Sequence, residues 1–369
     1  DESRLRIPLR DPLYKLAVPI QSSVYAGTGG NEGGADLKGK PKPLTFGKCL
    51  NVTAVLVDSA ALVYQLHNGQ IDDVTAVYDS GDLLTLSTHY TKDVANGRLT
   101  LLQAPVGLIT ADVLGSKTGG IYIDRCGDIV KRIITDFGAL NNAEYDAGSL
   151  DALTNDQSGT IGYHVGTEPI SIVDVLTDLM RGVGGWFGAN RIGQFQASLF
   201  KAPDFPSRAT FTSADIMELS RTALPEGYSV PWFRARIGYQ RNWTIQVSDL
   251  AGAVTAARRQ FLAEQYRVEA DSDGAVSPAH LLANDPPVTP SFFDGSAVAL
   301  AEAVRQMDLW GVKRDLFRSR FKHRAFSLNI GDTVKLEYDR FGLAGGKLFR
   351  IVTIADDAER NQIELELFG

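Results

Sequence analysis

"SLNIGDTVKLEYDRFGLAGGKLFRIVTIADDAERNQIELELFG", Ser327 to Gly369, closes the chain. It alternates apolar and polar residues, turns, and alternates again. Gly331-Asp332 reads as a turn, after which Val334 and Leu336 point to one face of a strand. Arg340-Phe341-Gly342 reads as a second turn, "GGKLFRIVTI" as the returning strand, and "NQIELELF" as the strand that closes the set. Three or four short antiparallel strands after a helix predict a small barrel or sandwich. Nothing in the stretch has the pattern of a nucleophile, a general base or a metal ligand. The edge it offers near Asp339, Arg340, Phe341 and Leu343 is a candidate for pairing with a neighbouring subunit.

Upstream, "GSAVALAEAVRQMDLWGVKRDLFRSRF" reads as the longest helix, with Val298, Ala301, Val304 and Met307 on its buried stripe. "FRARIGYQRNWTIQ" alternates as a strand, and "DLAGAVTAARRQFLAEQY" reads as a helix. "DSDGAVSPAHLLANDPPVTPSFFDG" is a loop or irregular crossing. These elements predict a second β-barrel domain with two helices over 211–369.

The middle, 116–210, reads as α+β. "GDIVKRIITDFGAL" places Ile129, Ile133, Ile134 and Phe137 on one helical face, with Gly138 as the stop. "TEPISIVDVLTDLMRGVGG" does the same with Ile172, Val175, Leu176 and Leu179, capped by Thr167 or Ser171. "WFGANRIGQFQASLF" reads as a hairpin turning at Asn190.

The first part, 1–115, reads as a β domain. Runs rich in Val, Leu and Tyr are separated by Asn68-Gly69 and Ser80-Gly81, and Asn96-Gly97 marks a further hairpin. Ahead of them, "YAGTGGNEGGADLKGKPKPLTFGK" cannot fill a core, and its Lys-Pro steps forbid a helix. It reads as a long ordered loop, or as an arm (27–43) that leaves the domain.

Composition fits this mainly β, α+β reading. Thirty-six glycines among 369 residues suit a turn-rich chain. A net charge of −7 does not predict a nucleic-acid-binding surface. Two cysteines, Cys49 and Cys126, give no disulfide framework; they read as buried free thiols or a single pair. No apolar run approaches membrane-spanning length, and no signal peptide is recognisable. "RLRIPLRDPL" opens abruptly and without an initiator Met, as in a processed or partial chain.

Chemical motifs are weak. "GADLKGKP", Gly34 to Pro41, matches the Gly-x-x-x-x-Gly-Lys part of a phosphate-binding loop. Pro41 then stands where Ser or Thr should hold magnesium, and Pro41 and Pro43 block the helix whose amides would face phosphate. "ADSDGAV" has two aspartates and a glycine of a calcium loop but lacks the third acid and the distal Glu. His67, His89, His164, His280 and His323 include no pair at helical spacing for zinc. Gly-x-Ser-x-Gly is absent. Acidic residues are plentiful, and nothing singles out a glycosidase pair. Asn51 heads an acceptor sequon by letter only. The expectation is no enzyme, with no catalytic, cofactor-binding or metal-binding residues.

"AEAVRQMDLWGVKRDLFR" followed by "LNIGDTVKLEYDRFGLAGGKLFRIVTIADDAERNQIELEL" resembles the C-terminal half of bacteriophage tail baseplate hub proteins. "LRDPLYKLAVPIQSSVYAGTGG" with "GGADLKGKPKPLTFGKCLNVTAVLVD" resembles the N-terminal region of hub or tail-tip proteins of long-tailed, non-contractile phages. "IGYHVGTEPISIVDVLTDLMRGVGGWFGANRIGQFQASL" is similar to their middle region. The resemblance implies tail-tube-like β-barrel domains with an inserted α+β domain, assembled as a trimeric ring at the tail tip of a virion. It implies a distal tail protein above, a central fibre and receptor-binding proteins below, and a tape-measure protein ending in the lumen. Genomic DNA would pass through without stable binding, and mild acidity would keep its phosphates from sticking. Gly27, Gly29, Gly33, Lys38, Lys40 and Pro41 of the arm become candidate inter-subunit contacts. No lysozyme-like or peptidase module is visible, nor the iron-binding His motif of membrane-piercing spikes. The alternative is a carbohydrate- or receptor-binding, adhesin-like tail module, with Trp186, Phe187, Trp232, Phe233 and Trp243 as a sugar platform. A cell-wall hydrolase ranks third.

Overall fold

The computed structural model describes residues 12–357 and 359–369. Most of the abrupt opening, "RLRIPLRDPL", therefore lies outside the described residues.

Nine strands build the first module: β1 (Leu44–Thr53), β2 (Val55–Asp58), β3 (Val63–Gln65), β4 (Ile71–Asp79), β5 (Asp82–Leu83), β6 (Tyr90–Asp93), β7 (Arg98–Leu101), β8 (Ile109–Thr118) and β9 (Ile121–Tyr122). The predicted turns at Ser80-Gly81 and Asn96-Gly97 are present, joining β4 to β5 and β6 to β7. Ser80 and Gly81 both have positive φ, as a two-residue hairpin of this hand requires. Asn68-Gly69 instead turns a corner between sheets, because β3 pairs with β2 and β7 while β4 pairs with β8. One sheet runs β1-β8-β4-β5 and the other β2-β3-β7-β6. Val52, Val74, Val77, Leu99, Ala111 and Val113 fill the space between them.

The middle contributes α1 (Cys126–Arg132), α2 (Ala147–Asp156), β10 (Gly162–Val165), α3 (Ile172–Gly182), β11 (Gly185–Ala189) and β12 (Phe195–Leu199). The helix read over "GDIVKRIITDFGAL" is α1 plus a wider π turn, 133–137, ending at Gly138. Ile129, Ile133 and Ile134 are buried as expected. Ser171 caps α3, its hydroxyl accepting from the Asp174 amide. The β11–β12 hairpin turns at Asn190, whose carbonyl oxygen Oδ1 accepts from the Gln194 amide. Helix α2 had no counterpart in the sequence reading. Its one local signal is the cap, where Asp146 accepts from Ser149.

The rest forms β13 (Ala209–Phe211), β14 (Ile216–Thr222), β15 (Arg234–Tyr239), α4 (Ala256–Ala263), β16 (Arg267–Ser272), α5 (Val276–Ala279), β17 (Thr289–Pro290), α6 (Ser296–Trp310), β18 (Leu316–Phe321), β19 (Thr333–Leu336), β20 (Lys347–Asp357) and β21 (Gln362–Phe368). The closing stretch folds as read: β19, β20 and β21 are successive antiparallel partners, and Val334 and Leu336 are both buried. The sheet runs β13-β19-β20-β21-β18-β14 and leaves β13 and β14 unpaired on their outer sides, so it is an open half-barrel and not a closed barrel.

Four readings of this region change. "LFRSRF" is strand β18 and not the end of the long helix, which stops at Trp310. The buried stripe of α6 is Ala299, Ala303, Gln306 and Met307 with Glu302, while Ala301 and Val304 face outward. Only the second half of "DLAGAVTAARRQFLAEQY" is helical, beginning after the Thr255 cap. The strand in "FRARIGYQRNWTIQ" ends at Tyr239, because Gln240 adopts a positive φ.

The cores cut across the three consecutive segments. One core joins Phe46 of β1, Ile129 of α1, Leu176 of α3, Phe195 of β12, Ile237 of β15 and Ala303 of α6. The half-barrel core draws on Phe211, Phe317, Val334, Phe349 and Ile363, so 223–315 leaves that module and packs elsewhere before the chain returns. Strand β10 joins the first module by pairing with β1, from Leu44↔Val165 to Gly47↔Gly162.

Candidate assembly interface

The Gly/Pro stretch is the long ordered loop of the two readings, not an arm that leaves its domain. The Tyr25 amide donates to the Lys40 carbonyl and the Gly39 amide to the Tyr25 carbonyl, each at 2.9 Å. Tyr25, Leu37 and Val57 form a small core of their own, and the Tyr25 hydroxyl donates to Gln65 Oε1 at 2.8 Å. Burial pushes the Tyr25 phenol well above its ordinary value. Lys42 and Glu32 pair at 2.7 Å across the loop, and that bond holds the Glu32 carboxyl below its usual range.

This geometry divides the predicted contact residues. A Cβ on Gly27 would lie 2.5 Å from Lys38 Cβ, and one on Gly33 would lie 2.8 Å from Leu37 Cδ1. Both glycines serve packing inside the loop, and Pro41 bridges to Val24. Gly29, Lys38 and Lys40 remain at the surface, and neither lysine has an ion-pair partner among the described residues. The other predicted set, Asp339 to Leu343, is not a sheet edge. It lies in the loop between β19 and β20, both interior strands. Leu343 is buried in the half-barrel core, whereas Asp339 and Arg340 are exposed. Phe341 is partly exposed and meets Phe317 edge-on at 5.4 Å. The two sets sit on different cores.

The free edges of the half-barrel sheet are β13 and β14. Strand β14 exposes Met217 and turns few side chains inward. The sheet's outer face carries a charge ladder: Arg318 pairs with Glu364 and Glu366, and Arg320 with Glu218 and Glu364. A second surface missed in the sequence is the β7–β8 loop. Both Asp79 carboxylate oxygens accept amides there, Val106 at 2.6 Å and Gly107 at 2.8 Å, and hold Val106 out at 90% exposure. Leu83 and Leu102 on the same module are more than half exposed. A carboxylate pinning an apolar tip has no local sequence signature.

The five aromatic residues of the sugar-platform reading are not brought together. Trp232 is buried against Tyr228 and Trp310, and its indole N–H donates to the Gly227 carbonyl. Trp243 stacks on Phe292 under the Arg241 guanidinium. Trp186 and Phe187 belong to the β11–β12 hairpin. The phosphate-loop match is followed by β1 and not by a helix. No cluster of three metal-ligating side chains occurs among the described residues. Cys49 and Cys126 are buried free thiols, and burial raises both above the ordinary thiol value. No helix among the described residues is long and apolar enough to cross a membrane.

No protein-family model and no curated protein matches the chain. Among solved structures, it is similar to a chain in the virion of a native gene transfer agent particle, at 16% identity, covering 90% of this chain and 84% of that one with a TM-score of 0.59. A tail protein from Neisseria meningitidis MC58 aligns at 12% identity over 78% of this chain and 81% of that one, with a TM-score of 0.38. A 43 kDa tail protein of prophage MuSo2 from Shewanella oneidensis aligns at 10% identity over 88% and 98%, with a TM-score of 0.37. The first is a likeness of fold. The other two are too distant to inform function.

Proposed function

We propose that this protein is a structural component of a phage-like tail, and within it the hub of the tail tip. The observation that carries the reading is the fold shared with a virion chain over 90% of the present sequence. The open sheet supports it, since the half-barrel leaves two edges free for a neighbour. In this reading three copies form a ring that closes or continues the tail tube. The ring anchors a distal tail protein, a central fibre and receptor-binding proteins, receives the tape-measure protein, and lets genomic DNA pass without retaining it. Enzymatic work has no part in it.

Light scattering on the purified chain tests the stoichiometry. The expected species is a trimer that dissociates when Lys38 and Lys40 of the closed loop are both changed to Glu. A wild-type chain that stays monomeric at every concentration, alone and with assembled tail tubes, overturns the hub reading. A lumen lined with Lys and Arg overturns the proposed passage of DNA.

A further inference from the structure

The β11–β12 hairpin has two unlike faces. Phe187, Phe195 and Ala197 turn into the central core, with the two phenylalanine rings stacked at 5.8 Å. By the strand period of two, Trp186, Gly188, Gln196 and Ser198 share the other face. That face meets the turn before β19 and Arg350 of β20 across a cleft. The cleft has two adjoining hollows, of about 450 and 330 Å³, and Trp186, Ile330, Gly331 and Arg350 line both. Opposite Gln196, Gly188 leaves its side of the sheet open: a Cβ there would meet nothing within 4 Å.

The polar groups of this cleft are unequally used. Both arginine charges are paired within the chain, Arg191 with Asp356 and Arg350 with Asp204, while Arg350 Nε is buried without a hydrogen bond among the described residues. Among the described residues the Gln196 amide has no hydrogen bond at either end, and its Nε2 is buried. Asp146 uses one carboxylate oxygen to cap α2, and Asp332 uses one to hold the Asn329 amide. Among the described residues the second oxygen of each accepts no hydrogen bond. The cleft therefore offers an indole face, an idle amide and two idle carboxylate oxygens, and the charges of its two arginines are already paired.

We infer that this cleft binds a neutral saccharide chain, with Trp186 as its stacking platform and Gln196, Asp146 and Asp332 reading hydroxyls. A sugar ring presents an apolar C–H face to the indole, while its hydroxyls both donate and accept, matching amide and carboxylate together. An anionic ligand would face two carboxylates, and each guanidinium charge is already paired with a carboxylate of the chain. Two joined hollows along one groove suit a chain better than a single compact ligand. This inference is independent of the tail-hub reading.

The test is ligand-observed NMR and tryptophan fluorescence on the full chain with cellohexaose, chitohexaose and mannohexaose, and with hexagalacturonate as the charged control. At least one neutral hexasaccharide should bind and the charged one should not. Trp186→Ala should weaken binding by about tenfold or more. Gln196→Ala, which breaks no bond within the chain, should weaken it several-fold at an unchanged melting temperature. If Trp186→Ala fails to fold, Gln196→Ala decides. The inference is overturned if no neutral probe binds, if hexagalacturonate binds equally well, or if Gln196→Ala binds as the wild type does.

Discussion

The side-chain amides of Asn51 and Asn242 bind each other at 2.8 Å across 191 positions of sequence. Both residues are essentially fully buried. Asn51 sits at the bulge of β1 with φ +55°, a conformation Asn tolerates better than most residues. Its Oδ1 accepts from Thr110 Oγ1 at 2.7 Å and from Arg258 at 2.9 Å, and its backbone amide donates to Asp112 at 2.7 Å. Asn242 donates in turn to the Leu262 carbonyl at 2.9 Å. One asparagine thus fastens the segment around α4 to the first β module.

Replacing Asn51 by Ala leaves several buried polar groups without partners and should cost about 2–4 kcal/mol. Asn51→Gly separates the two causes, because Gly accepts the positive φ but restores no hydrogen bond. It should fall nearly as far as Ala in urea denaturation. A Gly variant as stable as wild type would mean that backbone conformation, and not the network, is what Asn51 supplies.

Two buried histidines should make the fold acid-sensitive. The Thr45 amide donates to His67 Nδ1 at 2.9 Å, and the Thr45 hydroxyl, which donates to the Leu66 carbonyl, lies 3.0 Å from His164 Nδ1. Burial depresses His67 to about 4, with Arg132 adding to the effect, and His164 to about 3, with His67 and Arg241 adding. Both are therefore neutral when folded but protonate near 6.5 when unfolded. The unfolded state binds more protons between those values, so stability is fully present above about pH 6.5 and falls as pH drops toward 4 and then 3. The loss should be on the order of a few kcal/mol. Denaturation curves at a series of pH values should show His67→Phe with a shallower slope over this window. An unchanged slope would remove His67 from the account.

Backbone contact at the β1–β10 junction should tolerate no side chain. A Cβ on Gly162 would lie 1.7 Å from the Lys48 carbonyl oxygen, and one on Gly47 would lie 1.9 Å from that of Ile161. Gly162→Ala must therefore push the two strands apart, and a loss of about 3 kcal/mol or more follows from overpacking a backbone contact. Gly188→Ala, on open ground, is the matched control and should leave the unfolding midpoint within error.

These relationships explain which parts of the fold were legible. The closing half-barrel was, because Val334, Leu336, Ile363, Leu365 and Leu367 alternate strictly and glycines mark its turns. Helix α3 was, because Ser171 and one apolar face agree. Helix α6 was misread because its sequence holds two competing stripes. The one chosen inward includes Glu302 and Gln306, whose partners come partly from elsewhere in the chain. Asn51 was legible only as a sequon letter, since its partners lie up to 207 residues away. The aromatic residues were visible as a set, but a hydrophobic ring carries no mark of which core it joins. The cleft beside Trp186 depends on the meeting of two modules, and that information is not local.

Glu302 should prove to be a structural linchpin. Its side chain is 1% exposed, and Arg305 grips both carboxylate oxygens at 2.7 Å. Gln306 donates to Oε1 at 3.0 Å and Gln157 to Oε2 at 3.4 Å. Arg305, so oriented, donates to the Phe200 carbonyl at 2.6 Å and the Gly184 carbonyl at 3.4 Å, joining α6 to both ends of the β11–β12 hairpin. Removing the carboxylate alone strands a guanidinium among carbonyls, so Glu302→Ala should cost about 3–5 kcal/mol. Changing Glu302 and Arg305 together to Leu and Met should recover part of that loss, because no charge is then left without its partner. Urea denaturation of Glu302→Leu, Arg305→Met and the double variant measures the coupling. Additive losses would show that Arg305 is held by its carbonyls and does not need Glu302.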